Sequence, residues 1–241
     1  ASLCSGLKKL TLLQSLALNL ESTINDLDLT GESINEELLI DSLRELQFLS
    51  DLNLSSSFRT VNTTIMNKFF KRLKELDGLK RLHLNIATEG ISDECIINLA
   101  SSLKDIKKLT NLYLGFDGDI EFGEKGLDSL SESLKNLQSL TYFGLKISGM
   151  KANVKIGEAS MAKLLRNLAE NKNFVDLELI LKVPISITME IKERILAFAK
   201  DTNPNLKRLF LSLKYKKKGS EVNVDELKQE IREKVKDTLN K

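Results

Sequence analysis

The chain has no tryptophan and only two prolines, two cysteines and one histidine among its 241 residues. Because prolines are so few, no cluster of helix- and strand-breaking residues divides the chain into obvious modules. The single histidine and the two cysteines do not form the spacing that is typical of a zinc site. We therefore expect no metal site and no bound cofactor.

Long apolar runs and an excess of one charge are also missing. No run approaches the ~18 residues that a membrane-spanning helix needs. The net charge is +2, which favours neither nucleic acid nor a membrane surface as a partner. Segment 1–18 superficially resembles a signal peptide, but Lys8 and Lys9 interrupt it and its leucines fit a repeat. We expect an intracellular, cytoplasmic protein in which Cys95 is a reduced, buried thiol.

One six-residue pattern, with apolar residues at positions one and four and leucine at position six, occurs seven times. It begins at residues 13, 49, 79, 109, 140, 174 and 206, in the copies LQSLAL, LSDLNL, LKRLHL, LTNLYL, LTYFGL, FVDLEL and LKRLFL. Such a regular period indicates a repeat architecture. We continue the numbering past the end of each hexamer, so that position eight is the second residue after it. Position eight is apolar in six copies, so the pattern predicts strands near 13–20, 49–56, 79–86, 109–116, 140–147, 174–181 and 206–213.

Helical patterns separate these hexamers. Apolar residues recur at three- and four-residue spacing in 33–46, 63–76, 92–106, 125–137, 158–171 and 188–202. A strand–helix unit of this length buries both of its faces only by stacking on identical neighbours. The sequence therefore predicts an α/β solenoid of about seven repeats, with a curved parallel sheet on the concave face and helices on the convex face.

The LxxLxL core resembles the leucine-rich-repeat family, in its long ribonuclease-inhibitor-like class, over about residues 7–215. These degenerate repeats are also similar to those of large repeat proteins of ciliated protists. The family's repeat usually has asparagine at position nine, where it bonds the backbone as the strand turns. This chain instead has Glu21, Ser57, Ala87, Asp117, Ser148, Lys182 and Lys214. We expect no asparagine ladder, and irregular loops after strands that are extended by one inward residue.

The solenoid is predicted to occupy residues 1–218, and a charged C-terminal helix residues 219–241. Val224, Leu227, Ile231, Val235 and Leu239 recur at helical spacing in this last segment. Terminal units of a solenoid must be polar outside, so capping its open end is the natural role. Docking onto another chain as an amphipathic helix is the alternative.

The densest basic cluster follows the last strand. It consists of Lys214, Lys216, Lys217 and Lys218. One interpretation is a solvated edge beside the C-terminal cap. The other is contact with an anionic partner or a phospholipid headgroup.

No catalytic motif accompanies the repeats. The glycine-rich stretch GFDGDIEFGEKG, at 115–126, lacks the GK[ST] ending of a phosphate-binding loop, and we interpret it as a flexible connection. Only His83 could act as an imidazole base, and no GxSxG elbow is present to hold a serine nucleophile. We therefore expect a protein that is not an enzyme.

Positions one, four, six and eight are predicted to point into the core, and positions three, five and seven onto the concave face. Tyrosine and arginine are enriched at interface hot spots, but aromatic residues also favour strands and pack across them. Phe210 is expected to lie under the C-terminal helix. The predicted partner-binding patch consists of Arg81, His83, Asn111, Tyr113, Tyr142 and Lys146.

These patterns predict a non-catalytic protein–protein interaction scaffold, a subunit or adaptor of a larger assembly, that binds a protein through the concave face. RNA would want a basic groove with stacking platforms, whereas this face carries both charges. One alternative is a GTPase regulator resembling the Ran-activating proteins, although those typically end in an acidic tail and this chain ends in KDTLNK. The other alternative is an enzyme-inhibitor or substrate-recognition module.

Overall fold

The computed structural model describes residues 2–21, 41–60, 63–151, 154–185, 192–197 and 205–215, together with residues 229, 230 and 233. Seven strands form one parallel sheet in the order of the chain. They are β1 (Ser15–Glu21), β2 (Asp51–Thr60), β3 (Arg81–Glu89), β4 (Asn111–Asp117), β5 (Tyr142–Ser148), β6 (Asp176–Ile185) and β7 (Arg208–Tyr215). The predicted sheet of seven repeats is confirmed.

Helices connect the strands. They are α1 (Ser2–Leu7), α2 (Thr63–Arg72), α3 (Asp93–Leu103), α4 (Glu124–Leu134) and α5 (Glu158–Glu170), and residues 41–44 and 192–197 are also helical. A short 3-10 helix, Leu73–Glu75, continues α2. Most of the predicted helix 33–46 and parts of the predicted helix 188–202 lie outside the described residues. Strands and helices alternate in an open α/β solenoid, as the repeat period predicts.

Each hexamer lies in register with the next one. Leu112 of β4 pairs with Leu82 of β3 and Phe143 of β5, so residues at position four form one continuous row. Leu112, Leu114 and Phe116 are fully buried, while Tyr113 between them is partly exposed. The alternation confirms the predicted inward positions. Each strand begins at position three, and the apolar residue at position one comes before the strand.

Backbone hydrogen bonds tie the repeats together where the strands begin. The carbonyl oxygen of Ser50 accepts from the amide nitrogens of Lys80 and Arg81, at 2.7 and 2.9 Å. The carbonyl oxygen of Lys80 accepts in the same way from Thr110 and Asn111, at 2.8 and 3.1 Å. The same arrangement, at hexamer position two, joins every pair of adjacent strands. Since only main-chain atoms take part, the hexamer pattern gives no sign of it.

Glycines make the turns after the three central strands. Gly90, Gly118 and Gly149 have φ angles of 80°, 105° and 82°, in the left-handed region that glycine enters without steric cost. A Cβ atom on Gly149 would lie 2.3 Å from the carbonyl oxygen of Gly118, so the two turns stack closely. Gly118 and Gly149 come directly after position nine, where the family's repeat has its asparagine, and Gly90 comes three residues after it.

One side chain at position nine does bond the backbone. The Asp117 carboxylate accepts from the amide nitrogen of Gly118 at 3.0 Å and from Lys146 Nζ at 3.2 Å. Burial alone would raise the pKa of Asp117, but hydrogen bonds from Ser148, Lys146 and Gly118 and the charge of Lys146 outweigh it and lower the pKa. Asp117 therefore secures the end of β4 as a carboxylate.

The N-terminus of α4 is capped by the preceding repeat. Asp93 Oδ1 accepts from the amide nitrogens of Gly123 and Gly126, at 2.9 and 2.7 Å. These amides have no partner within their own helix, because the first turn of a helix leaves its N–H groups unbonded. In the next repeat Glu124 Oε1 accepts from the amide nitrogen of Gly157, at 3.0 Å. The caps thus link successive repeats through their helices.

Replacing Asp93 with alanine should lower the stability of the fold by about 1–2 kcal/mol, because two first-turn amides lose their acceptor. Asp93→Asn keeps a side-chain oxygen at the same place and should retain most of the stability. Urea denaturation followed by circular dichroism measures both. An Asp93→Ala midpoint equal to that of the unaltered protein would show that the cap contributes nothing.

The helices pack on one another, and their apolar side chains share one buried core with the inward-facing residues of the strands. Neighbouring packed helices need about 8–10 Å between their axes, whereas neighbouring strands need only about 4.8 Å. Stacking such units therefore curves the solenoid toward the strands. Cys95 is fully buried in this core and free, as the sequence predicts. None of the helices in the described part of the chain has the length and apolar character to cross a bilayer.

The predicted division at residue 218 stays a prediction. Of residues 219–241, only 229, 230 and 233 are described, and all three are helical. Glu230 Oε1 lies 2.6 Å from Nζ of Lys192, at the beginning of the helical residues 192–197. The described part of the C-terminal segment therefore contacts the helical residues that precede β7.

Candidate functional site

The face of the sheet away from the helices, which we call the open face, carries three rows of side chains. They come from hexamer positions three, five and seven and run across the strands in register. Row three contains Ser15, Asp51, Arg81, Asn111, Tyr142, Asp176 and Arg208. Row five contains Ala17, Asn53, His83, Tyr113, Gly144, Glu178 and Phe210. Row seven contains Asn19, Ser55, Asn85, Gly115, Lys146, Ile180 and Ser212.

Tyr113 lies at the centre of row five, held on both sides. Its ring stacks on the His83 ring, with centroids 4.3 Å apart and planes 10° apart. On the other side it covers Gly144, where a Cβ atom would lie 2.5 Å from Tyr113 Cδ2. A Cβ atom on Gly115 would lie 3.1 Å from Tyr113 Cε1. The two glycines therefore leave the space in which the ring lies.

Tyr142 reaches from row three to row five. Its hydroxyl donates to Glu178 Oε2 at 3.2 Å, passing above Gly144. Burial, the charge of Glu178 and this hydrogen bond all disfavour the phenolate and raise the pKa of Tyr142 to about 12. Burial and, to a smaller degree, Glu178 also raise the pKa of Tyr113. Both phenols are therefore neutral hydrogen-bonding groups at physiological pH.

Glu178→Gln should lower the pKa of Tyr142, because it removes the negative charge while burial still disfavours the phenolate. Ultraviolet absorbance of the phenolate measures the change, and Glu170→Gln, on the helix side, is the matched control. The folded-state pKa of about 12 lies above the ordinary 10.0. The contribution of Tyr142 to stability is therefore complete below about pH 10 and is lost as the pH rises through about 12. Identical titrations of the two variants would contradict the role of Glu178.

His83 is half-buried, and burial lowers its pKa, so the imidazole is neutral at pH 7. Neither of its ring nitrogens has a hydrogen-bond partner among the described residues. The side chain therefore offers one donor and one acceptor beside the stacked Tyr113. It adds no charge to the open face.

Three ion pairs lie on or beside the open face. Arg81 pairs with Asp51, and Arg208 binds Asp176 through two nitrogens, at 2.6 and 2.7 Å. Hydrogen bonding and the charge of Arg208 lower the pKa of Asp176 despite its partial burial. The third pair joins Lys146 to Asp117. Basic groups are thus matched with acidic ones, and the face has no dominant sign.

A groove of about 430 Å³ opens on rows three and five over the first five strands. At β1 the groove is lined by the small side chains of Ser15 and Ala17. Its volume lies within the range of small-molecule and peptide-side-chain sites. The polar and aromatic residues that line it are Ser15, Asp51, Asn53, Arg81, His83, Asn111, Tyr113 and Tyr142.

Five residues of the predicted patch meet at this groove: Arg81, His83, Asn111, Tyr113 and Tyr142. The sixth, Lys146, does not line it; it lies in row seven, bonded to Asp117. Phe210 is 56% exposed, so the expectation that the C-terminal helix covers it is wrong. Of the basic cluster, Lys214 lies within β7, and Lys216, Lys217 and Lys218 lie outside the described residues.

Other residues of the site do not belong to the predicted patch. Glu178 fixes Tyr142, Asp51 fixes Arg81, and Gly144 makes room for the Tyr113 ring. The row alignment could have indicated the role of Gly144, because it places this glycine directly beside Tyr113. On adjacent strands, the ring of an aromatic residue often covers a neighbouring glycine. Among the described residues, no three histidine, cysteine or acidic side chains come together to hold a metal ion.

No protein-family model and no curated protein matches the chain. Among solved structures, it is similar to "Leiomodin-1 Actin-Binding Site 2 (ABS2)", with a TM-score of 0.44 and 15% sequence identity. The alignment covers 68% of this chain and 84% of that one.

Proposed function

We propose that this protein is a non-catalytic scaffold that binds a protein partner through the open face. The observation that carries the proposal is the pair of tyrosines beside one groove, each held by its neighbours. A side chain that is already fixed loses little conformational entropy when a partner binds. Tyr113 and Tyr142 therefore offer large apolar areas with polar tips at low entropic cost.

The chemistry of the groove supports binding rather than catalysis. His83, its only imidazole, stacks on Tyr113, and in the described part of the chain it has no hydrogen bond to a nucleophile or to a carboxylate that would orient it. Asp51 is occupied by Arg81, and Glu178 by the Tyr142 hydroxyl. A protein partner suits this mixture of aromatic, amide and paired charged groups, whereas a nucleic acid would favour a uniformly basic groove.

Four more specific parts of the proposal are supported by the sequence patterns. They are membership of the ribonuclease-inhibitor-like class, a role as a subunit or adaptor of a larger assembly, binding at a concave surface, and an intracellular, cytoplasmic location. A GTPase regulator and an enzyme-inhibitor or substrate-recognition module are the alternatives. A GTPase-stimulation assay tests the first alternative directly.

Replacing Tyr113 and Tyr142 together with alanine should leave the fold intact and reduce capture of the native partner at least tenfold. Truncating hot-spot tyrosines typically costs about 2 kcal/mol or more of binding free energy. Quantitative mass spectrometry of co-purified proteins measures the capture, and circular dichroism checks the fold. Phe48→Ala is the control, because Phe48 is an exposed aromatic residue in the turn before β2. Undiminished capture by the double variant would remove the open face as the binding surface.

A further inference from the structure

The two arginines of row three share an unusual feature: each covers its own acidic partner. The Arg81 side chain is 65% exposed and that of Asp51 only 16%. The Arg208 side chain is 79% exposed and that of Asp176 only 20%. In both pairs the carboxylate lies low against the sheet and the guanidinium lies above it. Although each pair is neutral, the group that it presents to solvent is cationic.

These guanidinium groups lie at a defined separation. Arg81 is on β3 and Arg208 on β7, in the same row of the sheet. Four intervals between parallel strands correspond to about 19 Å. An extended chain advances about 3.3–3.6 Å per residue, so residues five or six positions apart span that distance. The two arginines can therefore contact a single extended segment that crosses the strands.

The surface between the arginines has the opposite character. Tyr142 lies between them in row three, and its hydroxyl is bonded to the Glu178 carboxylate in row five. A negative charge placed there would be repelled by Glu178, whereas uncharged side chains could pack on the two tyrosine rings. The Asn111 side chain, which also lines the groove, accepts a hydrogen bond from the Thr110 hydroxyl through Oδ1, and its amide nitrogen is a donor that suits a carbonyl oxygen.

We propose that the open face recognises an extended segment of a partner protein with two carboxylates five or six residues apart and uncharged residues between them. The inference rests on the proposed function, since it names the chemistry of the partner. Each carboxylate binds the exposed guanidinium of Arg81 or Arg208 through N–H donors. The uncharged middle of the segment lies against Tyr142 and Tyr113.

A nucleic acid fits this arrangement less well. Its backbone carries a charge at every nucleotide, so a strand that bridged the two arginines would also place phosphates beside Glu178. A peptide can carry its charges at the two ends alone. The position of Glu178 between the arginines therefore favours an acidic protein segment.

Synthetic peptides test the inference on the full chain. The probe is a fluorescein-labelled nine-residue peptide of serine and threonine with glutamates at the second and eighth positions. Two comparison peptides have glutamine at both positions or the two glutamates adjacent, and a labelled nine-nucleotide oligouridylate serves as the nucleic-acid probe. Fluorescence anisotropy at low ionic strength measures each affinity. The peptide with separated glutamates should bind most tightly.

Protein variants then locate the binding. Arg81→Gln and Arg208→Gln should each weaken the affinity about two- to fivefold, as expected for an exposed ion pair, and the double variant about tenfold. Arg81→Lys keeps the charge and should lose less than Arg81→Gln. The matched control is Arg44→Gln, because Arg44 is 68% exposed and paired with Glu75, in the helix layer. It should bind as the unaltered protein does.

The inference would be overturned if the peptide with separated glutamates did not bind, or if either comparison peptide bound as tightly. It would also be overturned if Arg44→Gln lost as much affinity as the row-three arginine variants, or if oligouridylate bound more tightly than the peptide. Capture of the native partner by the protein variants tells whether this inference alone is wrong or whether the proposed function is wrong as well. If the double tyrosine variant loses capture and the double arginine variant keeps it, the scaffold stands and the acidic segment is rejected. If both variants keep full capture, both proposals are wrong.

Discussion

Replacing Leu112 with alanine is expected to lower the free energy of unfolding by about 2–5 kcal/mol. Leu112 lies in the central strand of the sheet and is fully buried. Its register neighbours, Leu82 on one side and Phe143 on the other, are buried as well. Because strands on both sides are fixed by their own repeats, the site has little room to collapse around the smaller side chain, and most of the cavity should remain.

The control for this substitution is Leu12→Ala. Leu12 is 77% exposed, in the turn before β1, so its truncation should change the stability by no more than about 0.5 kcal/mol. Thermal and urea denaturation, monitored by circular dichroism, give the stabilities of the two variants and of the unaltered protein. A Leu112 variant as stable as the Leu12 variant would contradict the inward assignment of hexamer position four.

Gly149→Ala is expected to have the second largest effect. Its φ of 82° costs a residue with a side chain about 1–3 kcal/mol in strain. The new Cβ atom would also lie 2.3 Å from the Gly118 carbonyl oxygen and 2.8 Å from its amide nitrogen. Both are backbone atoms, which cannot move aside as the end of a flexible side chain can. The turn must therefore open, in addition to the conformational strain.

The opening should be visible locally. The amide of Ile120 donates to the carbonyl oxygens of Gly118 and Gly149, at 2.8 and 3.2 Å, and the amide of Lys151 donates to the Ile120 carbonyl oxygen at 3.0 Å. Hydrogen exchange at Ile120 and Lys151 should speed up in the variant, along with a loss of global stability. Gly6→Ala is the control, since a Cβ atom at this position in α1 meets nothing within 4 Å. Unchanged exchange at both amides would show that the turn tolerates a side chain.

Much of the fold follows from local pattern. The hexamer alone predicts seven strands and the direction of Leu112, Leu114 and Phe116, because burial alternates along a strand and the apolar residues follow that alternation. The helix patterns likewise predict α2 to α5. The Asp93 cap could not be predicted in this way, since its acceptor and its two donors are about thirty residues apart and belong to different repeats.

The candidate site was predictable as a set of positions but not as an arrangement. Row alignment places His83, Tyr113 and Gly144 side by side, and that adjacency is correct. It does not tell which way each ring lies. Tyr113 could have covered His83 alone, and Tyr142 could have extended along its own strand. The space above Gly144 and the carboxylate of Glu178 decided both orientations.

The amino-acid sequence by itself determined the period of the repeat, the strand and helix of each unit and the face on which each side chain lies. These are properties of consecutive residues, because the backbone alternates or turns at fixed intervals. Only the tertiary structure decided that Lys146 binds Asp117 away from the groove, that Phe210 is exposed, and that Arg81 and Arg208 lie above their acidic partners. Those outcomes depend on competition between side chains from different repeats for the same space and the same hydrogen bonds.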